Sequence, residues 1–386
     1  MAITVNPDLL KEIKEYGAFD ISACFNCGNC TAVCPLSSEN NSFPRKLIRM
    51  GQIGNEDGIN SSIDPWLCYY CGECSDTCPR QAEPGEYMMS LRRYLIASYD
   101  WTGLAKRFYK STLAEITGLV VTGLFVTLLF VFFHGEMIPH LVNGKVPLNT
   151  FAPEPIIDLG DRIMAGLLTF FLLSNAFRMA WRYLGGMDMF KISPVIYIKQ
   201  ISTFIINFFT QPRWRSCNEE TKKSPWLTHL ILISGYLSMM VLIIIMLKWF
   251  QTDNVYPFYN PQRLWGYYAA AALIYGTTVF MIARWKKSDT MHKKSEPSDW
   301  IFLIMLFLTA FTGILVNIFR LSGLPMATYI IYVIHLSIAV PMLIVEVPFG
   351  KWAHLMYRPF AVYLMSVKEA AEVSRASQSM ETKVAA

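Results

Sequence analysis

The chain has 386 residues, 53% of them hydrophobic and 16% charged, with a mean hydropathy of +0.32 and a formal net charge of +5. Ordinary soluble domains carry about 25% charged residues, so this composition excludes a wholly soluble or disordered chain and fits a soluble piece joined to a membrane piece. Most Lys and Arg flank apolar stretches, so the excess of positive charge does not mark a nucleic-acid binder.

Residues 1–20 are mixed in charge and lack the apolar core of a secretory signal, so the N-terminus is expected in the cytoplasm. From Cys24 the chain reads CFNCGNCTAVCP, and from Cys68 it reads CYYCGECSDTCP. Each run is C-x2-C-x2-C-x3-C-P, the spacing that holds [4Fe–4S] clusters, and in two-cluster proteins the fourth Cys crosses to the other cluster. The expected ligand sets are therefore Cys24, Cys27, Cys30 and Cys78 for one cluster, and Cys68, Cys71, Cys74 and Cys34 for the other. Zinc sites use Cys pairs set well apart, and a disulfide scaffold would need a secretory signal. The ninth Cys, Cys217, reads as a plain loop thiol.

Between the runs, FPRKLIRMGQIG predicts a short helix with Pro44 near its first turn and a Gly at its end. After the second run, residues 85–111 read as one basic amphipathic helix leading to a bilayer. No period-2 alternation occurs, so residues 1–110 are expected to form a helical two-cluster, ferredoxin-like domain without strands.

From about Leu113 the composition changes. Six stretches approach the ~20 apolar residues that a helix needs to span: 113–133, 162–184, 227–250, 264–285, 300–320 and 327–349. Lys191, Lys199, Arg213, Arg215, Lys222 and Lys223 follow the second, and Arg284, Lys286, Lys287, Lys293 and Lys294 follow the fourth. The intervening loops hold little beyond Lys145, Lys248, Arg263 and Arg320. This bias puts both termini and the cluster domain on the cytoplasmic face of the inner membrane. Residues 192–210 are interrupted by Pro194, Lys199, Gln200 and Asn207, and read as an interfacial helix rather than a seventh span. Residues 111–366 thus form an all-α, six-helix transmembrane domain, and 367–386 a polar, loosely ordered tail.

Five of the six His lie in or beside spans, where ionisable groups are costly and usually functional; His292, in a basic loop, is assigned nothing. No C-x-x-C-H occurs, so any haem is of the non-covalent b type. His229 opens span three at its inner end. His335 and His354 are nineteen residues apart, roughly 28 Å if one helix continues through both. His229 and His354 pair as ligands of an inner haem, leaving His335 in the outer half. Its partner is His134 or Met239, the second imidazole being preferred; His140, beyond Pro139, falls outside the core.

The segment HLSIAVPMLIVEVPFGKWAHLMYRP, His335 to Pro359, resembles the last helix of the cytochrome b subunit of respiratory nitrate reductases, with one extra residue between its two His. His229 falls on the first His of that family's early helix, and Met239 on its second position. Residues 1–110 resemble the small iron–sulfur subunit of heterodisulfide reductases. A fusion of the two is similar to the C-subunit family of the quinone-interacting membrane-bound oxidoreductases of sulfate-reducing bacteria. The resemblance implies two stacked b haems, two flavin-containing cytoplasmic partner subunits, and electron transfer linking menaquinol to adenylylsulfate reductase.

On this reading, quinol oxidation needs a proton acceptor. Glu346, between Pro341 and Pro348, is the candidate; its other reading is a neutral Glu bonded to groups that the two prolines free. Arg320 and Lys199 are candidates for a quinone head group. Two alternatives keep to other ends: the same wiring in a heterodisulfide-reductase-like or sulfite-reductase-linked complex, and a membrane-bound redox sensor. Two clusters in series with intramembrane His favour a conductor, since a sensor needs one centre.

Overall fold

The structure, a computed structural model, describes residues 5–17, 21–138, 140–216, 223–288 and 290–385; Cys217 and Lys222 lie outside these. Among the described residues there is no β-strand, only isolated bridges at Ser38–Asn41 and Val142–Lys145. The chain divides into two compact units. One comprises Met1–Lys110, Leu172–Lys223 and Trp352–Ala386, the other Ser111–Phe171 and Ser224–Lys351.

In the first unit, two one-turn helices, α1 (Asn29–Ala32) and α3 (Glu73–Asp76), carry the middle of each cysteine run. Between them lies α2 (Arg45–Gln52), which starts after Pro44 as the sequence predicts. The core is apolar and tight: Leu9, Ile13, Leu47, Ile48, Tyr87, Met88, Leu91 and Leu95 are fully buried. The expected helix over 85–111 is two helices, α4 (Pro84–Tyr99) and α5 (Leu104–Lys110). The Asp100 carboxylate makes the break, accepting from Thr102 N and Ala105 N at 2.9 Å each and so satisfying amides that start α5.

The second unit begins with α6 (Thr112–Phe133) and the first part of α7 (Glu154–Tyr183); the division between the units falls within α7. In the first unit, residues 192–210 form two short helices, α8 (Pro194–Lys199) and α9 (Ile201–Thr210), neither of spanning length. The second unit is completed by α10 (Lys223–Ile244), α11 (Pro261–Lys286), α12 (Pro297–Leu321) and α13 (Pro325–Phe349). Small residues let these helices approach closely, as is common between apolar helices. A Cβ on Gly123 of α6 would sit 2.8 Å from the Ser337 carbonyl of α13, and one turn further Thr127 Oγ1 meets Ser337 Oγ at 2.9 Å. At one end, Val146, Leu148 and Phe151 of the 134–153 connection pack on Tyr329 and Tyr332.

Five described helices are long and apolar enough to cross a membrane: Thr112–Phe133, Pro225–Ile244, Pro261–Lys286, Pro297–Leu321 and Pro325–Phe349. The expected span 162–184 overlaps α7 up to Tyr183, and α7 is not among the five; Asp158, Asp161 and Arg162 occupy the first part of that helix. Two expectations are corrected. The helix does not continue from His335 through His354, because α13 stops at Phe349 and a 3-10 turn follows at Lys351–Ala353. Pro348, which cannot donate to the helix ladder, and Gly350, at φ −111° and ψ −157°, make that stop, so the 28 Å reach read along one helix does not apply. The tail expected to be loose is instead helical: α14 runs His354–Ala385. Its sequence is rich in Ala, Glu and Lys, and such residues favour helix even when polar.

Candidate cofactor sites

The two cysteine runs fold alike. Asn26 and Tyr70 take φ of 60° and 58°, and Gly28 and Gly72 take 88° and 92°. These left-handed turns bring backbone amides onto the first sulfur of each run: Asn26 N donates to Cys24 Sγ at 3.4 Å and Tyr70 N to Cys68 Sγ at 3.3 Å. Gly28 and Gly72 are the N-caps of α1 and α3, which swing Cys30 and Cys74 back toward the same points. Amide donation to sulfur and a left-handed turn at Gly are what a thiolate ligand in a crowded loop requires.

The thiols gather in two sets. Burial pushes the Cys30 thiol up from its ordinary range; Thr31 bonding opposes this, and the facing thiols of Cys24, Cys27 and Cys78 add to it. Burial also raises Cys74, and the thiols facing it are those of Cys68, Cys71, Cys34 and then Cys30. The thiols whose charges act on Cys30 thus include Cys78 of the second run, and those acting on Cys74 include Cys34 and Cys30 of the first. Among the described residues no three His, Cys, Asp or Glu side chains converge as they would on a single metal ion. A four-iron cubane takes one thiolate per iron, so its ligands spread over corners rather than meeting at a point. Ala82 N donates to Cys78 Sγ at 3.4 Å, a third amide–sulfur contact. Eight sulfurs in two facing sets with amide donors fit two [4Fe–4S] clusters.

Cationic groups border one set. The Cys68 carbonyl accepts from Nη2 of both Arg92 and Arg358, the latter at 3.1 Å. Arg92 Nε also donates to Pro65 O at 2.7 Å, and the Arg358 guanidinium lies 4.2 Å from the Tyr69 ring centroid. Burial, then the neighbouring Arg358, pushes Arg92 down to about 9. A guanidinium stays charged at neutral pH regardless, so two positive charges stand beside a candidate cluster ligand. Tyr357, one residue before Arg358, fixes α14 here, with ring centroids 5.1 Å from Trp66 and 5.6 Å from Tyr99.

In the second unit a cavity of about 250 Å³ runs among α7, α10, α11, α12 and α13. His335 and Met239 both line it, with Gly313 beside the imidazole. His335 Nδ1 lies 3.0 Å from Thr312 Oγ1, whose own proton goes to Leu308 O at 2.7 Å. Thr312 therefore accepts from Nδ1–H, which leaves the Nε2 lone pair available, as a metal-ligating imidazole requires. His134 stands elsewhere: it is exposed, pairs through Nδ1 with Gly135 O at 2.7 Å, and stacks on Phe151. His140 is also exposed. His229, on α10, is half-buried against Phe280, and His354 is the first residue of α14 in the first unit.

The cavity also carries polar groups that sequence reading passed over. Arg263 Nη1 donates to Asn317 Oδ1 at 3.1 Å, and Asn317 Nδ2 to Tyr267 OH at 3.1 Å. Arg320 borders the cavity but bonds the Val146 and Thr252 carbonyls; Lys199 is exposed on the other unit. Glu346 is fully buried, and so nearly is Glu115, a residue the sequence did not single out. A lone acid in the first turn of an apolar span was the available signal.

Fold and sites together define the class: a helical protein with a two-[4Fe–4S] domain and five helices of membrane-spanning length. A family model described as a 4Fe–4S dicluster domain matches residues 20–82. The chain is similar to a protein of Archaeoglobus profundus named as like the C subunit of heterodisulfide reductase, 35% identical over 94 residues, which is 24% of this chain and 50% of that one. It is also similar to the iron–sulfur C subunit of the CoB–CoM heterodisulfide reductase of Methanopyrus kandleri, 32% identical over 71 residues, 16% of this chain and 37% of that one. The chain thus spans half or less of the length of these curated relatives. No solved structure matches it.

Proposed function

We propose that the chain is a membrane electron-transfer subunit that takes electrons from menaquinol and delivers them to cytoplasmic flavin- and iron–sulfur-containing partners, with adenylylsulfate reductase as the end acceptor in sulfate respiration. The observation that carries this reading is the joining, in one chain, of two cysteine runs with cubane spacing to a cavity, among helices of spanning length, that His335 and Met239 both line. When bound, haem and cubanes supply one-electron chemistry, and the protein supplies position and potential. His335 with Met239 would hold one b haem. Arg263, Asn317 and Tyr267 offer donors suited to a quinone carbonyl at the cavity edge. The relatives named for heterodisulfide reductase support the iron–sulfur, electron-transfer character of the cluster domain.

The test is an optical spectrum of anaerobically purified protein with iron and haem quantified, followed by stopped-flow mixing with a menaquinol analogue. About eight non-haem irons, a Soret band, and haem reduction on a turnover timescale are expected. Full iron incorporation without a Soret band would overturn the reading.

A further inference from the structure

Where α11 starts, the cavity of the second unit carries a guanidinium whose hydrogen bonds all go to neutral groups. Arg263, in the first turn of α11, is 9% exposed and lines the cavity. A guanidinium stays charged at neutral pH, and a buried charge is costly unless something opposite answers it. Nη1 donates to Asn317 Oδ1 at 3.1 Å and, more weakly, to Tyr267 OH at 3.4 Å. Nε is buried and has no acceptor among the described residues. Two other charged residues line the cavity. Arg320 is held by the Val146 and Thr252 carbonyls, and Asp161 of α7 is not a hydrogen-bond partner of Arg263.

The acceptors around this guanidinium are already engaged. Asn317 Nδ2 donates to Tyr267 OH at 3.1 Å, and the amide is fixed in that sense, because a guanidinium offers no acceptor to Nδ2. The Tyr267 oxygen therefore accepts twice, from Asn317 and from Arg263, and its own proton has no acceptor among the described residues. Two donors are left over, Arg263 Nε–H and Tyr267 O–H. Four residues apart on α11, they lie on one helix face, and both residues line the cavity. Much of the remaining wall is apolar, with Met239, Met240, Ile243, Leu306 and Leu343 along it.

We propose that Arg263 and Tyr267, braced by Asn317, form a head-group site that takes an oxygen carrying no proton, a carbonyl or a carboxylate, on an apolar ligand, in preference to a hydroxyl. A hydroxyl also accepts, but it brings a proton for which no acceptor remains, and an unmade hydrogen bond in a buried site is costly. On the electron-transfer reading above, the ligand is a quinone and the site favours its oxidised form over the quinol. That step rests on the reading; the site's preference for an unprotonated oxygen does not.

The test is titration calorimetry of the full-length protein in lipid nanodiscs, referenced to empty nanodiscs, with two matched pairs of probes: menadione against a methylnaphthol, and decanoate against decanol. The wild type should bind the unprotonated oxygen of at least one pair about tenfold more tightly, the worth of one hydrogen bond to a charged group. Arg263→Met should lose that preference, and Arg263→Lys, which keeps the charge, should retain part of it. A preference for menadione alone identifies a quinone carbonyl, and one for decanoate alone a lipid carboxylate. Preference in neither pair, or an equal preference in Arg263→Met, overturns the site. Should Arg263→Met not fold, Tyr267→Phe must narrow the preference, and an unchanged ratio overturns the site equally. Haem reduction by a menaquinol analogue, measured on the same samples, separates the two readings. Decanoate preferred with no haem reduction sinks the electron-transfer reading and leaves the site standing; reduction without preference in either pair sinks the site alone.

Discussion

Arg358 reaches the carbonyl oxygen of Cys68 at 3.1 Å, four residues after His354 on the same helix. A helix that opens on a candidate haem ligand therefore closes on a candidate cluster ligand, and Arg92 holds the same carbonyl from within the cluster domain. Two guanidinium charges beside a ligand favour the more negative, reduced cluster. Arg358→Gln is expected to lower the potential of the cluster that Cys68 ligates by about 60 mV, a tenfold shift in a one-electron equilibrium. The cluster expected on Cys24, Cys27, Cys30 and Cys78 should move far less. A potential titration followed by electron paramagnetic resonance resolves the two, and equal shifts would reject a local effect.

The crossed arrangement of thiols gives a second prediction. The charge of Cys78 acts on Cys30, and those of Cys34 and Cys30 act on Cys74. Cys78→Ser should therefore perturb the cluster built on the first run, and Cys34→Ser the cluster built on the second. Iron should fall from about eight towards about four per chain when one cubane is lost. The surviving signal in each variant, read by the same resonance method, identifies which cluster remains.

Gly72 stands at φ +92°, and Gly28 at φ +88°. An L side chain in that region costs about 1–2 kcal/mol. At Gly28 the nearest obstacle to a Cβ is the flexible end of Arg45, at 2.8 Å, so backbone strain sets the penalty. Gly28→Ala should destabilise the domain by that amount without removing a ligand. Thermal bleaching of cluster absorbance in the purified protein should shift to lower temperature while iron content at the outset is unchanged.

Local signals carried much of this structure, and long-range pairings carried what the sequence hid. The cysteine spacing, the helix after Pro44 and the short helices around Lys199 all follow from patterns within a dozen residues. Six spans were read from composition and five of them fall on described helices long and apolar enough to cross a membrane, because a helix that must satisfy its own backbone in lipid has little freedom. The break at Gly350 was harder to see, since an apolar run with two prolines reads equally as one kinked helix. Arg358 was invisible for another reason. It acquires meaning only from a partner more than two hundred residues away, Cys68. Met239 was legible only as an apolar residue at the right depth, and the structure puts it on the wall of the same cavity as His335.

That cavity supports the last prediction. Thr312 fixes the His335 tautomer by accepting from Nδ1–H, so the imidazole enters the cavity with Nε2 unprotonated. Loss of that acceptor leaves the ring free to rotate, and outer partners of ligating His typically matter 10–100-fold in affinity, roughly 1.4–2.7 kcal/mol. His335→Leu should abolish haem in this cavity and lower the haem count by one. Thr312→Val, close in shape but without the hydroxyl acceptor, should leave the ligand in place and weaken retention of the haem within that range. Met239→Leu should alter the spectrum of the same haem, whereas His134→Leu should not, because His134 is exposed and stacked on Phe151 outside the cavity. Quantified haem spectra of the four variants decide the assignment. Loss of one haem in His134→Leu with none lost in Met239→Leu would return the outer ligand to the second imidazole.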